Sequence, residues 1–215
     1  MTNTSFSDAA AMWNQRYAGE SLLFGEAPND YLRAQRPRLP RAGRALCVAD
    51  GEGRNSVWLA QRGLSVDAFD IAEAGVAKAR KLAQRHGVSV NFAVADCDAL
   101  AWPENAYDVI AAIFVQFADP PMRERLFANM VRALAPGGLL VLQGYTPKQL
   151  QYRSGGPQRV DHLYTEAMLR EHFAALDILE LVSYEAELRE GTQHTGMAAL
   201  VGLAARKRPG QPARR

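Results

Sequence analysis

Residues 45–55 read ALCVADGEGRN. The apolar run 45–49 suits a short buried strand, and Gly51-Glu52-Gly53 ends it. From Asn55 to Gln61 the chain carries Val57, Trp58, Leu59 and Ala60, and Arg62-Gly63 closes a short helix. A strand that runs through a glycine turn straight into a helix is a ligand-binding arrangement. Glycine lets the chain turn tightly and lets a ligand approach the backbone. The helix start offers free N–H groups.

Outward from that turn the pattern alternates. Residues 65–69 (SVDAF) alternate and meet Asp70. Residues 71–86 place Val76, Ala79, Leu82 and Ala83 at helical spacing, with Gly87 as C-cap. Residues 88–94 read as a third strand, and residues 108–115 (DVIAAIFV) as a strand buried on both faces. Residues 120–134 form a helix with the stripe Leu126, Met130, Val131 and Leu134. Pro136-Gly137-Gly138 breaks it, and 139–142 is the next buried strand. Parallel neighbours need crossover helices, and those crossovers are right-handed. The expected fold is therefore α/β: a Rossmann-like, doubly wound, mostly parallel seven-stranded sheet with helices on both faces. Its last two strands, 176–188 and 195–204, join at Glu190-Gly191 as an antiparallel hairpin. Thr165 caps a short helix that ends near Phe173, and the polar stretch 145–161 has the length of an active-site loop.

Composition narrows the classes. The 215 residues carry 25 basic and 23 acidic side chains, for a net charge of +2. Five of the basic residues lie in the last eleven, which hold no acid, so the body carries a small acidic excess. That speaks against nucleic acid as partner. Two cysteines, Cys47 and Cys97, stand outside any CxxC or Cys/His pattern, so neither a disulfide scaffold nor a metal site is expected. No membrane-length apolar run or apolar secretory leader is seen, and a reducing cytoplasmic setting is expected. The chain is expected to form one domain over 1–205: an N-terminal helical lid (1–43), a ligand-binding half (44–144), and an acceptor-side loop, helix and hairpin (145–205). A disordered basic tail follows at 206–215. A monomer or homodimer fits this size.

Two ligand classes use such a glycine turn. Dinucleotides want GxGxxG, and the third position here is Ser56. S-adenosylmethionine has no phosphate; it needs the close turn for its amino-acid part and an acid after the second strand for its ribose. Asp70 stands there. GEGRN, Asp70, VADCDAL, YDVIAAIF and LAPGGLLVL, in this order and spacing, resemble the class I S-adenosylmethionine-dependent methyltransferases across 44–144. GEGRN and the N-terminal WNQRYAGESLLFGEAPNDYL resemble the tellurite-resistance and thiopurine methyltransferase branch.

The resemblance implies S-adenosylmethionine as cofactor, methyl transfer, and site residues at matching positions. The family's DxGxGxG turn aligns its acid with Cys47 and its first glycine with Ala49, so the usual acid is missing. Asp50 is expected to take its role towards the cofactor's amino group. Gly51 and Gly53 match the remaining glycines, Asp70 the ribose acid, and Ile71 an adenine contact. Asp96 and Cys97 match the adenine-binding pair, and Phe114 and Gln116 the border between cofactor and acceptor. Trp13 and Tyr17, four apart on one helix face, and Arg16 are expected to cover the cofactor. Tyr145, Arg153, His162 and Tyr164 are candidates for the acceptor pocket, with Arg153 suited to an anion. His194 is expected to be structural. No catalytic residue is transferred, and no metal is expected.

The expected acceptor is a small molecule, for instance a thiol or a tellurium or selenium oxyanion. Competing readings are an RNA, protein or natural-product methyltransferase, a nicotinamide oxidoreductase, and a non-catalytic cofactor-binding protein. FVQFADPP stands where amino-group methylating enzymes carry N/DPPY/F, which lowers the nucleic-acid option.

Overall fold

The computed structural model describes residues 6–152 and 154–210. Seven strands form one sheet in the order β3-β2-β1-β4-β5-β7-β6. They are β1 (Arg44–Val48), β2 (Ser65–Asp70), β3 (Val90–Val94), β4 (Tyr107–Ile113), β5 (Leu134–Tyr145), β6 (Leu176–Glu190) and β7 (His194–Lys207). The first five run parallel; β7 runs antiparallel to β5, and β6 antiparallel to β7. The expected α/β sheet with its C-terminal hairpin is borne out. Strand order reverses between β1 and β4, and ligands of open α/β sheets bind at the strand ends of that switch point.

The two-residue period of strands explains the double burial. Leu46 and Val48 of β1 face one core with Ile110, Leu140 and Leu142. Ala45 and Cys47 face the other with Val109, Val141 and Trp58. Each buried Leu, Ile or Val contributes about 1.5–3 kcal/mol, so β5, with Leu139, Leu140, Val141 and Leu142 sealed, and β4, with Val109 and Ile110 sealed, anchor the sheet. The helices are α1 (Phe6–Arg16), α2 (Asp30–Ala34), α3 (Arg54–Gln61), α4 (Glu73–Arg85), α5 (Pro120–Ala133), α6 (Gln149–Tyr152) and α7 (Glu166–His172). Thr165 caps α7 as expected, accepting from the Met168 amide, and Asp119 caps α5 in the same way through Met122.

Three local expectations change. The Pro136-Gly137-Gly138 stretch does not precede the strand but lies inside β5, where the register with β4 shifts between Tyr107 and Val109. The loop 145–161 contains α6 and leads into a 3-10 turn at Val160–His162. The basic tail begins later than Arg206, because Arg206 and Lys207 complete β7. Lys207 is buried, and its ammonium donates to the Val131, Arg132 and Leu134 carbonyls and to Asn105. A cation satisfies the orphan carbonyls at the end of α5, which composition alone reads as a solvated charge.

Candidate functional site at the glycine turn

The turn after β1 is built from left-handed backbone: Ala49 (φ 48°), Gly51 (φ 60°) and Gly53 (φ 91°). The two glycines serve different ends. A Cβ on Gly51 would lie 2.7 Å from the Tyr17 hydroxyl, on the side where the N-terminal segment covers the turn. A Cβ on Gly53 would lie 2.7 Å from the Ala79 methyl, so Gly53 lets α3 pack closely on α4. Ser56, where a dinucleotide fingerprint wants glycine, is sealed and donates its hydroxyl to Asp50, with the Gly53 carbonyl 3.1 Å from the same oxygen.

Two carboxylates meet this turn. Asp70 ends β2, accepts from the Gly51 amide at 2.9 Å with Oδ2, and from the Ala72 amide at 2.9 Å with Oδ1. Burial raises its carboxyl, against backbone donors at Ala72, Gly51 and Ile71. Asp50 takes the Ser56 hydroxyl on Oδ2, while Oδ1 is sealed from solvent without a partner. Burial pushes Asp50 up to about 7, opposed by the Ser56 hydroxyl and reinforced by the charge of Asp70.

The intervening residues of GEGRN hold the cover in place. Glu52 accepts from the Leu23 amide at 2.7 Å and the Phe24 amide at 3.4 Å, and pairs with Lys78 at 2.9 Å. Arg54 pairs with Glu190 of the hairpin at 2.8 Å, both side chains 8 % exposed. Asn55 accepts from the Asn29 amide, and the Asn29 side chain reaches Gln143 and Glu190. The hairpin tip closes the circle, since the Thr192 amide donates to the Leu23 carbonyl at 2.8 Å. One short motif therefore anchors both the N-terminal segment and the β6–β7 hairpin over the strand ends. Residue spacing does not reveal how Glu52, Arg54, Asn29 and Glu190 join these segments, because the partners across the seam lie more than twenty residues away.

The other expected residues divide. Trp13 stacks on Tyr17 at 5.5 Å between ring centres, and the Arg16 guanidinium lies 4.4 Å over the Trp13 ring. Burial raises the Tyr17 hydroxyl, with Asp70 and Glu52 adding to it. Ile71 follows β2 half-buried. Asp96 folds back to accept from the Asp98 amide, and the Cys97 thiol is pushed up to about 12 by burial, then by the Asp96 and Asp98 charges. Phe114, at φ 57° beyond β4, stacks on Tyr145 at 4.7 Å. Gln116 is no free border group: its amide donates to the Tyr145 and His162 carbonyls and accepts from the Tyr145 amide. Tyr164 is core, wholly buried against Phe127 with its hydroxyl on the Val115 carbonyl. His162 Nδ1 meets the Gln116 carbonyl, and its Nε2 is sealed without a partner. Arg153 lies outside the described residues. His194, expected to be structural, stands among Phe24, Phe114 and Tyr145. Among the described residues there is no cluster suited to a metal, and no helix long and apolar enough to cross a membrane.

Residues 45–138 match the family model described as "Methyltransferase domain". A curated relative, the demethylmenaquinone methyltransferase of Thermus thermophilus, is 38% identical over 108 residues, 48% of each chain. This chain thus spans about half the length of that relative. Among solved structures, one from work on conversion of a disulfide bond into a thioacetal group in echinomycin biosynthesis superposes with a TM-score of 0.77 at 17% identity, over 95% of both chains. TehB from Haemophilus influenzae gives 0.68 at 20%, over 93% of this chain and 67% of that one. The N-methyltransferase NodS from Bradyrhizobium japonicum, in complex with S-adenosyl-L-homocysteine, gives 0.67 at 18%, over 92% and 97%. At these identities the superpositions carry the fold. The family match is confined to segment 45–138, and the superpositions extend the shared α/β fold to the rest of the described chain.

Proposed function

We propose that the chain is an S-adenosylmethionine-dependent methyltransferase acting on a small-molecule acceptor. The observation that carries this is Asp50: a sealed carboxylate oxygen without a partner, set in a glycine turn on a methyltransferase domain. Such an oxygen suits the ammonium of the cofactor's amino-acid part. The bound cofactor supplies an electrophilic methyl group on a sulfonium.

The chain's own residues bind, orient and exclude water. Gly51 keeps the side of the turn under Tyr17 free of a Cβ, and Gly53 lets α3 start close against α4. Asp70 spends two acceptor positions on the backbone and keeps others for ribose hydroxyls, since a carboxylate offers about four. Ile71, Asp96 and Cys97 flank the adenine end. Trp13, Arg16 and Tyr17 cover the turn, and Phe114 separates it from the acceptor side formed by Tyr145, His162 and the hairpin tip. A relative named for demethylmenaquinone supports a small acceptor. A thiol or a tellurium or selenium oxyanion belongs to the same proposal, with TehB as a likeness of fold.

The test is formation of S-adenosylhomocysteine by purified protein given phenols, thiols, tellurite, selenite, bulk RNA or a protein extract in turn. Turnover with a small molecule supports the reading. Turnover confined to RNA or protein overturns it.

A further inference from the structure

Resting on that methyl-transfer reading, we infer that His194 is the general base of the acceptor site, positioned by Glu190, and that the acceptor is a flat aromatic molecule with an ionisable hydroxyl. Glu190 is fully engaged: Oε1 accepts from Asn29 Nδ2 at 3.0 Å, and Oε2 from Arg54 at 2.8 Å, with His194 Nδ1 at 3.3 Å. Burial would raise this carboxyl, yet the His194 hydrogen bond and the Arg54 charge hold it at about 2. An ionised carboxylate only accepts, so Nδ1 carries the hydrogen and Nε2 presents its lone pair. A carboxylate that fixes the imidazole tautomer is the arrangement a base requires.

The surroundings point to the acceptor's shape. The His194 ring lies 4.5 Å from Phe24, 4.5 Å from Phe114 and 6.0 Å from Tyr145, centre to centre. The Tyr145 hydroxyl beside it is sealed and without a partner. Aromatic faces with one phenol and one imidazole suit a planar ring carrying an oxygen. Phe24, on the N-terminal segment, packs on the His194 ring at 4.5 Å and closes this ring set. Burial lowers the imidazole, Glu190 raises it, and Arg54 and Arg16 lower it, which favours the neutral base at pH 7. Tyr145 is the other titratable group facing the ring. In the step, His194 Nε2 takes the hydroxyl proton as the acceptor oxygen bonds to the methyl carbon. The carbon–sulfur bond breaks with its electron pair going to sulfur, and the proton passes from Nε2 to water.

The experiment compares wild type, His194→Gln and Glu190→Gln with catechol and with 4-nitrothiophenol, whose thiol is already ionised at pH 7. The expected result is a 10²- to 10⁴-fold fall in the catechol-to-thiophenol rate ratio for His194→Gln. The acidic limb of the catechol kcat/KM profile disappears as well. Glu190→Gln shifts that limb, whereas a merely structural Glu190 leaves it in place. Nitrogen-15 NMR of wild type is expected to find His194 protonated at Nδ1. A rate ratio unchanged by His194→Gln, an Nε2–H tautomer, or turnover of the thiophenol with none of catechol overturns the base. Failure of wild type to bind S-adenosylhomocysteine overturns the methyl-transfer reading itself, and the base with it.

Discussion

Replacing Arg54 by methionine keeps most of the side chain's volume and removes its charge from a buried pair. Glu190 then keeps Asn29 and His194 but loses its cation. The structure sets the scale. The Glu190 carboxyl drops from an ordinary 4.5 to about 2. At about 1.4 kcal/mol per tenfold, the whole shift is worth about 3 kcal/mol at neutral pH, shared between the His194 hydrogen bond and the Arg54 charge. Breaking a buried pair on one side typically costs about 3–5 kcal/mol, because the other charge is stranded. We expect Arg54→Met to lose about 3 kcal/mol and Arg54→Met/Glu190→Gln about 1, a coupling near 2 kcal/mol. The sign of the pH dependence follows from a depressed carboxyl. Its stabilisation is present above pH 4.5 and is lost as pH falls through about 2, so the gap between wild type and Arg54→Met closes over that window. Urea unfolding at pH 7 and pH 3, followed by circular dichroism, measures both quantities. A single variant costing under about 1 kcal/mol at pH 7, or a double variant no more stable than the single, would refute the clamp between the glycine turn and the hairpin.

Asp50 has the opposite sign. Its carboxyl is raised from 3.8 to about 7, so folding loses stability as pH rises between those values; Asp50→Asn should gain about 2–4 kcal/mol over wild type at pH 8 and little at pH 4, by urea unfolding. Gly53→Ala would push a methyl against Ala79 at a φ of 91° and should cost about 2–4 kcal/mol, while Gly87→Ala, also left-handed but open to space, should cost about 1; thermal unfolding compares them. A loss no larger at Gly53 than at Gly87 would count against the tight α3–α4 contact.

What the sequence made legible is what repeats with a short period. The apolar runs of β1 and β4, the glycine turn and Asp70 at the end of β2 all stand in local patterns, and the structure keeps them at one switch point. Long-range partners stay hidden. Glu52, between the glycines, and Arg54 and Asn55, just after them, look like fillers, yet each one holds a distant segment. Gln116 and Tyr164 sit in positions that suggest a pocket wall, but the Tyr145 backbone and the Val115 carbonyl claim their polar groups. His194 beside a hairpin turn has no local signal of function. Only the antiparallel return of β7, which carries it past the end of β5, brings it to Phe114 and Tyr145. The role of Lys207 is hidden for the same reason, since the carbonyls it satisfies end a helix more than seventy residues earlier.

The most direct test of the central claim is calorimetric titration of S-adenosylhomocysteine at pH 6.5 in two buffers of different ionisation enthalpy, with NAD as control. An ammonium placed on Asp50 lowers a carboxyl that stands at about 7 in the free protein, so binding should release part of a proton. The expected result is saturable binding of S-adenosylhomocysteine, buffer-dependent heat that vanishes in Asp50→Asn, and no binding of NAD. Binding of NAD without S-adenosylhomocysteine, or heat that ignores both the buffer and Asp50, would contradict it.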